Sequence, residues 1–118
     1  MEEKEFVCGE KCPHYQAIAE VEIELLSEND VEDLATIFKI FSDTTRLRII
    51  YAIIEKELCV CDLCELLNLT QSNVSHQLQI LRTNKLVKYR KEGKQVYYTV
   101  KDEHMKKVIS IALEHIRE

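Results

Sequence analysis

The sequence contains few residues that break helices and no long apolar run. Only two glycines and one proline occur among its 118 residues, so long helices should dominate. No apolar stretch approaches the roughly 18 residues that a membrane span requires. The first residues, M-E-E-K-E, are acidic, unlike a secretory signal peptide. We therefore expect a mainly helical protein of the cytoplasm with no membrane partner.

The sequence also lacks the patterns of an enzyme, because no acid–base pair, nucleophile triad or glycine-rich phosphate loop is visible. What it has is five cysteines, an odd number that cannot all pair within one chain. They occur in two short motifs, C-G-E-K-C at residues 8–12 and C-V-C-D-L-C at residues 59–64. In a reducing compartment such clusters favour soft metal ions or redox chemistry over structural disulfides.

The charge is distributed unevenly along the chain. The net charge is −5, yet residues 1–34 carry 11 acidic and 2 basic residues, whereas the remainder carries 10 acidic and 14 basic ones. Residues 82–94 include six bases and one acid. A local basic stripe of this kind favours binding to phosphate groups even in an acidic protein.

Apolar residues at helical spacing predict five helices before residue 84. Their expected ranges are 14–26, 29–41 (capped by Asn29 or Asp30), 44–56 (capped by Ser42-Asp43), 60–67 and 71–83. The side chains expected on the buried faces of the helices at 29–41, 44–56 and 71–83 are Val31, Leu34, Ile37, Phe38, Phe41, Leu47, Ile50, Ile54, Val74, Leu78 and Leu81. The short helix, turn and longer helix over residues 60–83 predict a helix-turn-helix.

The pattern changes after residue 84. Residues 86–90 and 95–100 are rich in β-branched and aromatic residues, and Gly93 between them supplies a left-handed turn position. Asp102 is expected to cap a last helix with an apolar stripe. The fold class is therefore mainly α with a small β-hairpin, a winged helix-turn-helix. We expect an N-terminal cysteine-bearing arm at residues 1–13 and a DNA-binding domain with terminal dimerisation helices at residues 14–118.

The polar face of the helix at 71–83 predicts contacts with double-stranded DNA, since serine and amide side chains suit base edges and phosphates. The candidate residues on this helix are Gln71, Ser72, Asn73, Ser75, His76 and Gln77. The wing candidates for backbone or minor-groove contacts are Lys88, Arg90, Lys91 and Lys94. A solvated helix and a lysine-rich hairpin in a protein–protein module are the alternative.

The cysteine motifs predict a thiolate metal site. Cys59 and Cys61 point about 200° apart in a regular helix, so they can share an ion only if Cys59 lies outside the helical region. With Cys8 and Cys12 from the arm they make a tetrathiolate set suited to cadmium, or to lead with three sulfurs. Cys64 shares a face with Cys61 and offers a separate pair. Buried structural cysteines are the alternative.

The last helix predicts a second metal site. His104 and His115 share a face but are separated by about 16 Å of helical rise, so one helix cannot close a zinc site. Two antiparallel copies can, by joining Asp102 and His104 of one chain to His115 and Glu118 of the other. This geometry requires a homodimer, and an ordinary solvated helix is the alternative.

In combination these motifs resemble the ArsR/SmtB family of metal-responsive repressors, most closely its cadmium-, lead- and zinc-responsive CadC type. The matching segments are F-S-D-T-T-R-L-R-I at 41–49, E-L-C-V-C-D-L at 57–63, R-K-E-G-K-Q-V-Y-Y at 90–98, D-x-H at 102–104 and H-x-x-E at 115–118. The resemblance implies a homodimer that binds an inverted-repeat operator and is released by metal. It also implies control of genes for metal efflux or resistance.

The resemblance further implies that Cys8 and Cys12 of one protomer join Cys59 and Cys61 of the other. Cys64 departs from this pattern and is similar to the arsenite-responsive branch, in which three thiolates bind trivalent arsenic or antimony. Cys59, Cys61 and Cys64 are therefore an alternative arsenite site. A redox-sensing repressor of the same fold is a further alternative.

Overall fold

The computed structural model describes residues 13–118, which form six helices and three strands. Cys8 and Cys12 lie outside the described residues. The helices are α1 (Tyr15–Glu22), α2 (Glu28–Phe41), α3 (Thr44–Glu55), α4 (Val60–Leu67), α5 (Gln71–Thr83) and α6 (His104–Arg117). The strands are β1 (Leu58–Cys59), β2 (Val87–Glu92) and β3 (Gln95–Val100). The chain divides into two compact units, Met1–Leu34 and Ala35–Glu118.

Helix α1 ends at Glu22, four residues before the predicted end at residue 26, and the chain turns between α1 and α2. The predicted cap of α2 at Asn29 or Asp30 is also wrong. Ser27 caps this helix instead, since its hydroxyl accepts a hydrogen bond from the backbone N–H of Asp30 at 3.1 Å. Both apolar spacing and capping residues were present in the sequence, but two adjacent candidates for the cap left the boundary ambiguous.

The second unit has its own apolar core. It consists of Ile40, Ile49, Ile50, Ile53, Leu63, Val74, Leu78, Leu81, Leu86, Val87 and Ile109. The predicted burial of Val74, Leu78 and Leu81 on α5 is confirmed.

Several side chains predicted to be buried are exposed. Val31, Leu34 and Phe38 on α2 are 45–57% exposed, and Leu47 on α3 is 38% exposed. Ile40 is the buried residue of α2, and Ile49 and Ile53 join Ile50 on α3. The reason is that helical spacing locates an apolar stripe without showing whether the stripe packs on the core of its own chain.

The helix-turn-helix follows the predicted ranges. Helix α4 ends at Asn68, whose left-handed conformation (φ 55°) reverses the chain. Thr70 then caps α5, because its hydroxyl accepts from the backbone N–H of Asn73 at 3.1 Å. These two local devices fix the orientation of α5 relative to α4.

The three strands form one antiparallel sheet in the order β1-β3-β2. The hairpin of β2 and β3 is the predicted wing, and Gly93 occupies its turn with φ 64°. Strand β2 runs two residues further than predicted, to Glu92. Strand β1 was not predicted, because two residues become a strand only by pairing with β3, almost 40 residues further along the chain.

The predicted cap of α6 at Asp102 is wrong, because Glu103 is the residue immediately before the helix. The Asp102 carboxylate lies one residue earlier and accepts from the backbone N–H of His104 at 3.0 Å. Ile109 is its buried residue, whereas Val108, Ile111 and Ile116 are exposed. No helix within residues 13–118 is both long enough and apolar enough to cross a membrane.

Candidate functional site

Cys59 lies at the junction of β1 and α4. It ends β1, it is the residue immediately before α4, and its extended conformation (φ −93°, ψ 173°) lies outside the helical region, as predicted. Its backbone N–H donates to the Asp62 carboxylate at 3.1 Å, which satisfies a donor at the start of the helix. That hydrogen bond, followed by one with the Cys59 side chain, lowers the pKa of Asp62.

The three cysteines of this segment differ in exposure. Cys59 is buried, Cys61 is exposed and Cys64 is intermediate. Cys61 and Cys64 line one open cavity of about 540 Å³, which also touches Gln71, the first residue of α5. The two thiols therefore face the beginning of the helix expected to contact DNA, while Cys59 is turned into the fold.

The donor set at the start of α4 has the chemistry of a soft-metal site. Thiolate sulfur prefers ions such as cadmium, lead and zinc over magnesium or calcium. Within residues 13–118, no three His, Cys, Asp or Glu side chains are grouped closely enough to hold an ion. The assignment of Cys8 and Cys12 falls outside the described residues and stays a prediction, as does the three-cysteine arsenite set.

The cysteine segment is bound to the wing through backbone and side chains. Leu58 pairs with Tyr98 and Cys59 pairs with Tyr97 across β1 and β3. Beside this pairing, the Arg90 guanidinium contacts Glu57 at 2.8 Å and lies 4.8 Å from the centre of the Tyr97 ring. A displacement of the Cys59 backbone would therefore act directly on strand β3 of the wing.

Arg90 is the wing cation whose charge is most fully compensated within the described residues. Besides Glu57, it contacts Glu92 at 3.0 Å. Hydrogen bonds from the guanidinium, first to Glu57 and then to Glu92, raise the pKa of Arg90. The other predicted wing cations, Lys88, Lys91 and Lys94, are exposed. Arg90 consequently adds less to the positive potential of the wing than these lysines do.

The polar face of α5 contains two kinds of side chain. Gln71, Ser72, Ser75 and His76 are exposed, as contacts with a partner require. Asn73 and Gln77 are half-buried and hydrogen-bonded to each other at 3.2 Å.

The structure adds Gln79 to the exposed polar face of α5. Gln79 continues the series from Ser72 and His76 at helical spacing, so the sequence contained the signal for it.

The C-terminal candidates form two separate groups. The Nδ1 atom of His104 lies 3.0 Å from the Asp102 carboxylate, and both side chains are exposed. The His104 backbone N–H is the main cause of the lowered pKa of Asp102. His115 and Glu118 are exposed at the other end of α6. One chain thus presents two half-sets, as helical rise requires, and their union across a dimer stays a prediction.

Comparison with known proteins decides the family. Residues 43–89 match the model of the family described as bacterial regulatory protein, arsR family. A transcriptional repressor SmtB homolog from Synechocystis sp. is 37% identical over 112 residues, which cover 95% of this chain and 85% of the relative. The chain belongs to the ArsR family.

A second relative agrees with this family, and a solved structure agrees with the fold. A cadmium resistance transcriptional regulatory protein CadC homolog from Staphylococcus aureus is 43% identical over 94 residues, covering 79% of this chain and 78% of that protein. A homodimeric winged helix-turn-helix domain from Mycobacterium bovis superposes with a TM-score of 0.71 at 22% identity, covering 79% and 89% of the two chains. The predicted winged helix-turn-helix fold is thereby confirmed. The family consists of bacterial regulatory proteins, and the two relatives with similar sequences are described as transcriptional regulators.

Arg46 contacts the helix predicted to bind DNA and was not among the residues predicted from the sequence. Its guanidinium donates to the Gln77 side chain at 3.2 Å and to the Ile40 carbonyl at 3.1 Å. No signal in the sequence indicates this contact, because Arg46 and Gln77 are 31 residues apart and neither lies at an apolar position of its helix.

Proposed function

We propose that this ArsR-family protein is a metal-responsive transcriptional repressor of the cytoplasm and not an enzyme. It binds an inverted-repeat operator as a homodimer and leaves it when cadmium, lead or zinc binds Cys8, Cys12, Cys59 and Cys61. The regulated genes encode metal efflux or resistance proteins. The similarity to a SmtB homolog and to a CadC homolog supports this function.

The single observation that carries the proposal is the position of Cys59. It ends β1, which pairs with wing strand β3, and it precedes α4, which packs beside α5. A ligand held by this thiol and by the N-terminal arm would bias both DNA-contacting elements at once. Such a bias is a coupling free energy, typically about 1–3 kcal/mol, and by linkage DNA must weaken metal binding equally.

The DNA surface is proposed to combine α5 with the wing. The exposed polar side chains of α5 suit the edges of base pairs in a major groove, and its N-terminus suits a phosphate. Lys88, Lys91 and Lys94 would contact the backbone and make the affinity fall with salt.

The homodimer is proposed to use the exposed apolar residues of α6. Ile111 and Ile116 are 67% and 74% exposed, and Val108 is 38% exposed. An exposed apolar stripe on one protomer favours contact with an apolar surface of a second protomer. Antiparallel pairing of α6 would also unite Asp102 and His104 with the partner's His115 and Glu118 in an interhelical zinc site.

Operator binding of the metal-free protein, titrated with cadmium, lead, zinc and arsenite, tests the effector assignment. We expect Cys8→Ser to lose the cadmium response and keep full operator affinity without metal. Cys64→Ser, which alters a thiol outside the proposed set, is the matched control and should keep the cadmium response. A cadmium response that survives Cys8→Ser, together with an arsenite response lost in Cys64→Ser, would show that the effector is wrongly assigned.

The arsenite response is the second candidate function, favoured by the cavity that Cys61 and Cys64 share. Trivalent arsenic and antimony prefer three sulfur ligands, and Cys59 would supply the third.

A redox-sensing repressor would instead release the operator under oxidant after all metal has been removed. The same titration with a chelator present separates a redox response from a metal or arsenite response.

A further inference from the structure

A chain of hydrogen bonds runs from α3 to the DNA-facing side of α5. The Nη1 atom of Arg46 donates to the side-chain oxygen of Gln77 at 3.2 Å. The Nε2 atom of Gln77 then donates to the side-chain oxygen of Asn73, also at 3.2 Å. All three side chains are half-buried. The chain ends at Asn73 in the first turn of α5, where a winged helix approaches its DNA.

Arg46 is itself held in place at the other end. Its Nε atom donates to the carbonyl of Ile40 at 3.1 Å, and its backbone N–H donates to the Asp43 carboxylate at 2.9 Å. The Ile40 carbonyl belongs to the last turn of α2, where carbonyl groups lack partners within the helix. The guanidinium satisfies one of these carbonyls and also neutralises the negative end of the helix dipole. The contact with the last turn of α2 therefore sets the orientation of the guanidinium toward Gln77.

The hydrogen bonds from Arg46 through Gln77 to Asn73 can be donated in only one direction. An arginine side chain contains donors and no acceptor, so Gln77 must turn its oxygen toward Arg46. The amide nitrogen of Gln77 must then face Asn73, which turns its own oxygen inward to accept. Asn73 is left with its NH2 group directed away from Gln77, as a donor available to a ligand.

We infer that Arg46 determines which group of the DNA Asn73 contacts, without touching DNA itself. An asparagine that recognises adenine uses its oxygen and its nitrogen together. Here one lone pair of the oxygen accepts from Gln77, and this bond turns the oxygen toward Gln77 and the NH2 group of Asn73 toward acceptors on the DNA. The acceptors that DNA offers in the major groove and on the backbone are N7 of guanine and adenine, guanine O6, thymine O4 and phosphate oxygens. Arg46 is thus a positioning residue for DNA recognition, and this inference rests on the proposed DNA binding.

The experiment measures the affinity of the metal-free protein for a panel of operators. One arm changes each base pair of a half-site in turn and replaces single purines by their 7-deaza analogues. The other replaces single phosphates by methylphosphonates. Loss of discrimination in the first arm identifies a base acceptor for Asn73, and loss in the second identifies a phosphate.

Four single variants separate recognition from folding. Arg46→Met removes the donor, Arg46→Lys keeps a side chain with donors only, and Asn73→Ala removes the end of the chain. Gln77→Met breaks the chain on α5 and leaves the bonds of Arg46 to Ile40 and Asp43, which guards against a folding defect in the first variant. Arg48→Met is the matched control, because Arg48 is an exposed arginine on the same helix that lines a groove with Leu47 and Tyr51 instead.

We expect Arg46→Met, Gln77→Met and Asn73→Ala each to lower operator affinity roughly three- to tenfold, the value of one hydrogen bond. All three should lose discrimination at the same base or phosphate. The double variant of Arg46→Met with Asn73→Ala should lose no more than either single variant. Arg46→Lys should keep the discrimination, and Arg48→Met should change affinity uniformly across the panel.

Additive losses that leave every discrimination intact would overturn the inference and assign Arg46 a structural role only. Absence of operator binding by the unmodified protein would overturn the proposed function and this inference together. Normal operator binding with unchanged preferences in Arg46→Met would overturn the inference alone.

Discussion

Cys59 lies directly opposite Tyr97 across the antiparallel pair formed by β1 and β3. The residue proposed to receive the metal signal is therefore a backbone neighbour of the wing proposed to contact DNA. Leu58 and Tyr98 form the adjacent pair, so two residues of the hairpin follow any movement of the cysteine segment. This direct connection is the physical basis that we propose for coupling between the metal and the operator.

Glu57→Gln should raise operator affinity. The substitution removes the carboxylate that contacts Arg90 at 2.8 Å and returns positive potential to the wing. We expect about a two- to fivefold gain at low salt and a steeper dependence of affinity on salt. Glu114→Gln on α6 makes the same charge change and should give a smaller gain. Equal gains in fluorescence anisotropy titrations would mean that the contact with Arg90 is irrelevant to DNA binding.

Asp62→Asn should loosen the start of α4 and alter the acid stability. The pKa of Asp62 is lowered in the folded protein, first by the backbone N–H of Cys59. Its stabilisation is therefore complete above the unfolded value of about 3.9 and is lost as the pH falls through the lower folded pKa. The melting temperature of Asp62→Asn should lie below that of the parent protein at neutral pH, and the difference should shrink in acid.

The control for Asp62 is Glu65→Gln on the same helix, which removes an exposed carboxylate that does not cap Cys59. This control should keep the acid profile of the parent protein. A difference between Asp62→Asn and the parent that stays constant down to about pH 2 would contradict the assigned role of Asp62.

Ile111→Glu should weaken the homodimer. Ile111 is 67% exposed on α6, and burying an isoleucine at an interface contributes about 1.5–3 kcal/mol, or at least tenfold in the dissociation constant. Ser110→Glu adds the same charge at a neighbouring exposed position and should leave the dimer intact. Sedimentation equilibrium measures both, and equal dissociation constants for the two variants would exclude α6 as the interface proposed here.

The helix-turn-helix was predictable because its signals are local. Thr70 supplies the cap of α5, and Val74, Leu78 and Leu81 mark its buried face at helical spacing. The winged fold followed from the order of these elements and from the turn at Gly93. Both the predicted range of α5 and the identity of its buried residues agree with the structure.

What the sequence did not predict depends on contacts between distant residues. Strand β1 exists only through its pairing with β3, and the charge of Arg90 is compensated by Glu57, 33 residues away. The engagement of Gln77 by Arg46 is a contact of the same kind. The predicted burial of Phe38 on α2 is wrong for the single chain, where Phe38 is 57% exposed, because helical spacing does not show what an apolar stripe packs against.

The central claim is that sulfur atoms from two protomers surround one heavy cation, and a heterodimer tests it most directly. One protomer carries Cys8→Ser and Cys12→Ser, and the other carries Cys59→Ser and Cys61→Ser. If the arm of one chain joins the Cys59–Cys61 segment of the other, the mixed dimer contains one complete site, whereas each double variant alone contains none. X-ray absorption of the cadmium-loaded heterodimer should therefore show four sulfur ligands at one site per dimer. A spectrum with no four-sulfur site in the heterodimer, while the parent protein retains one, would contradict the account.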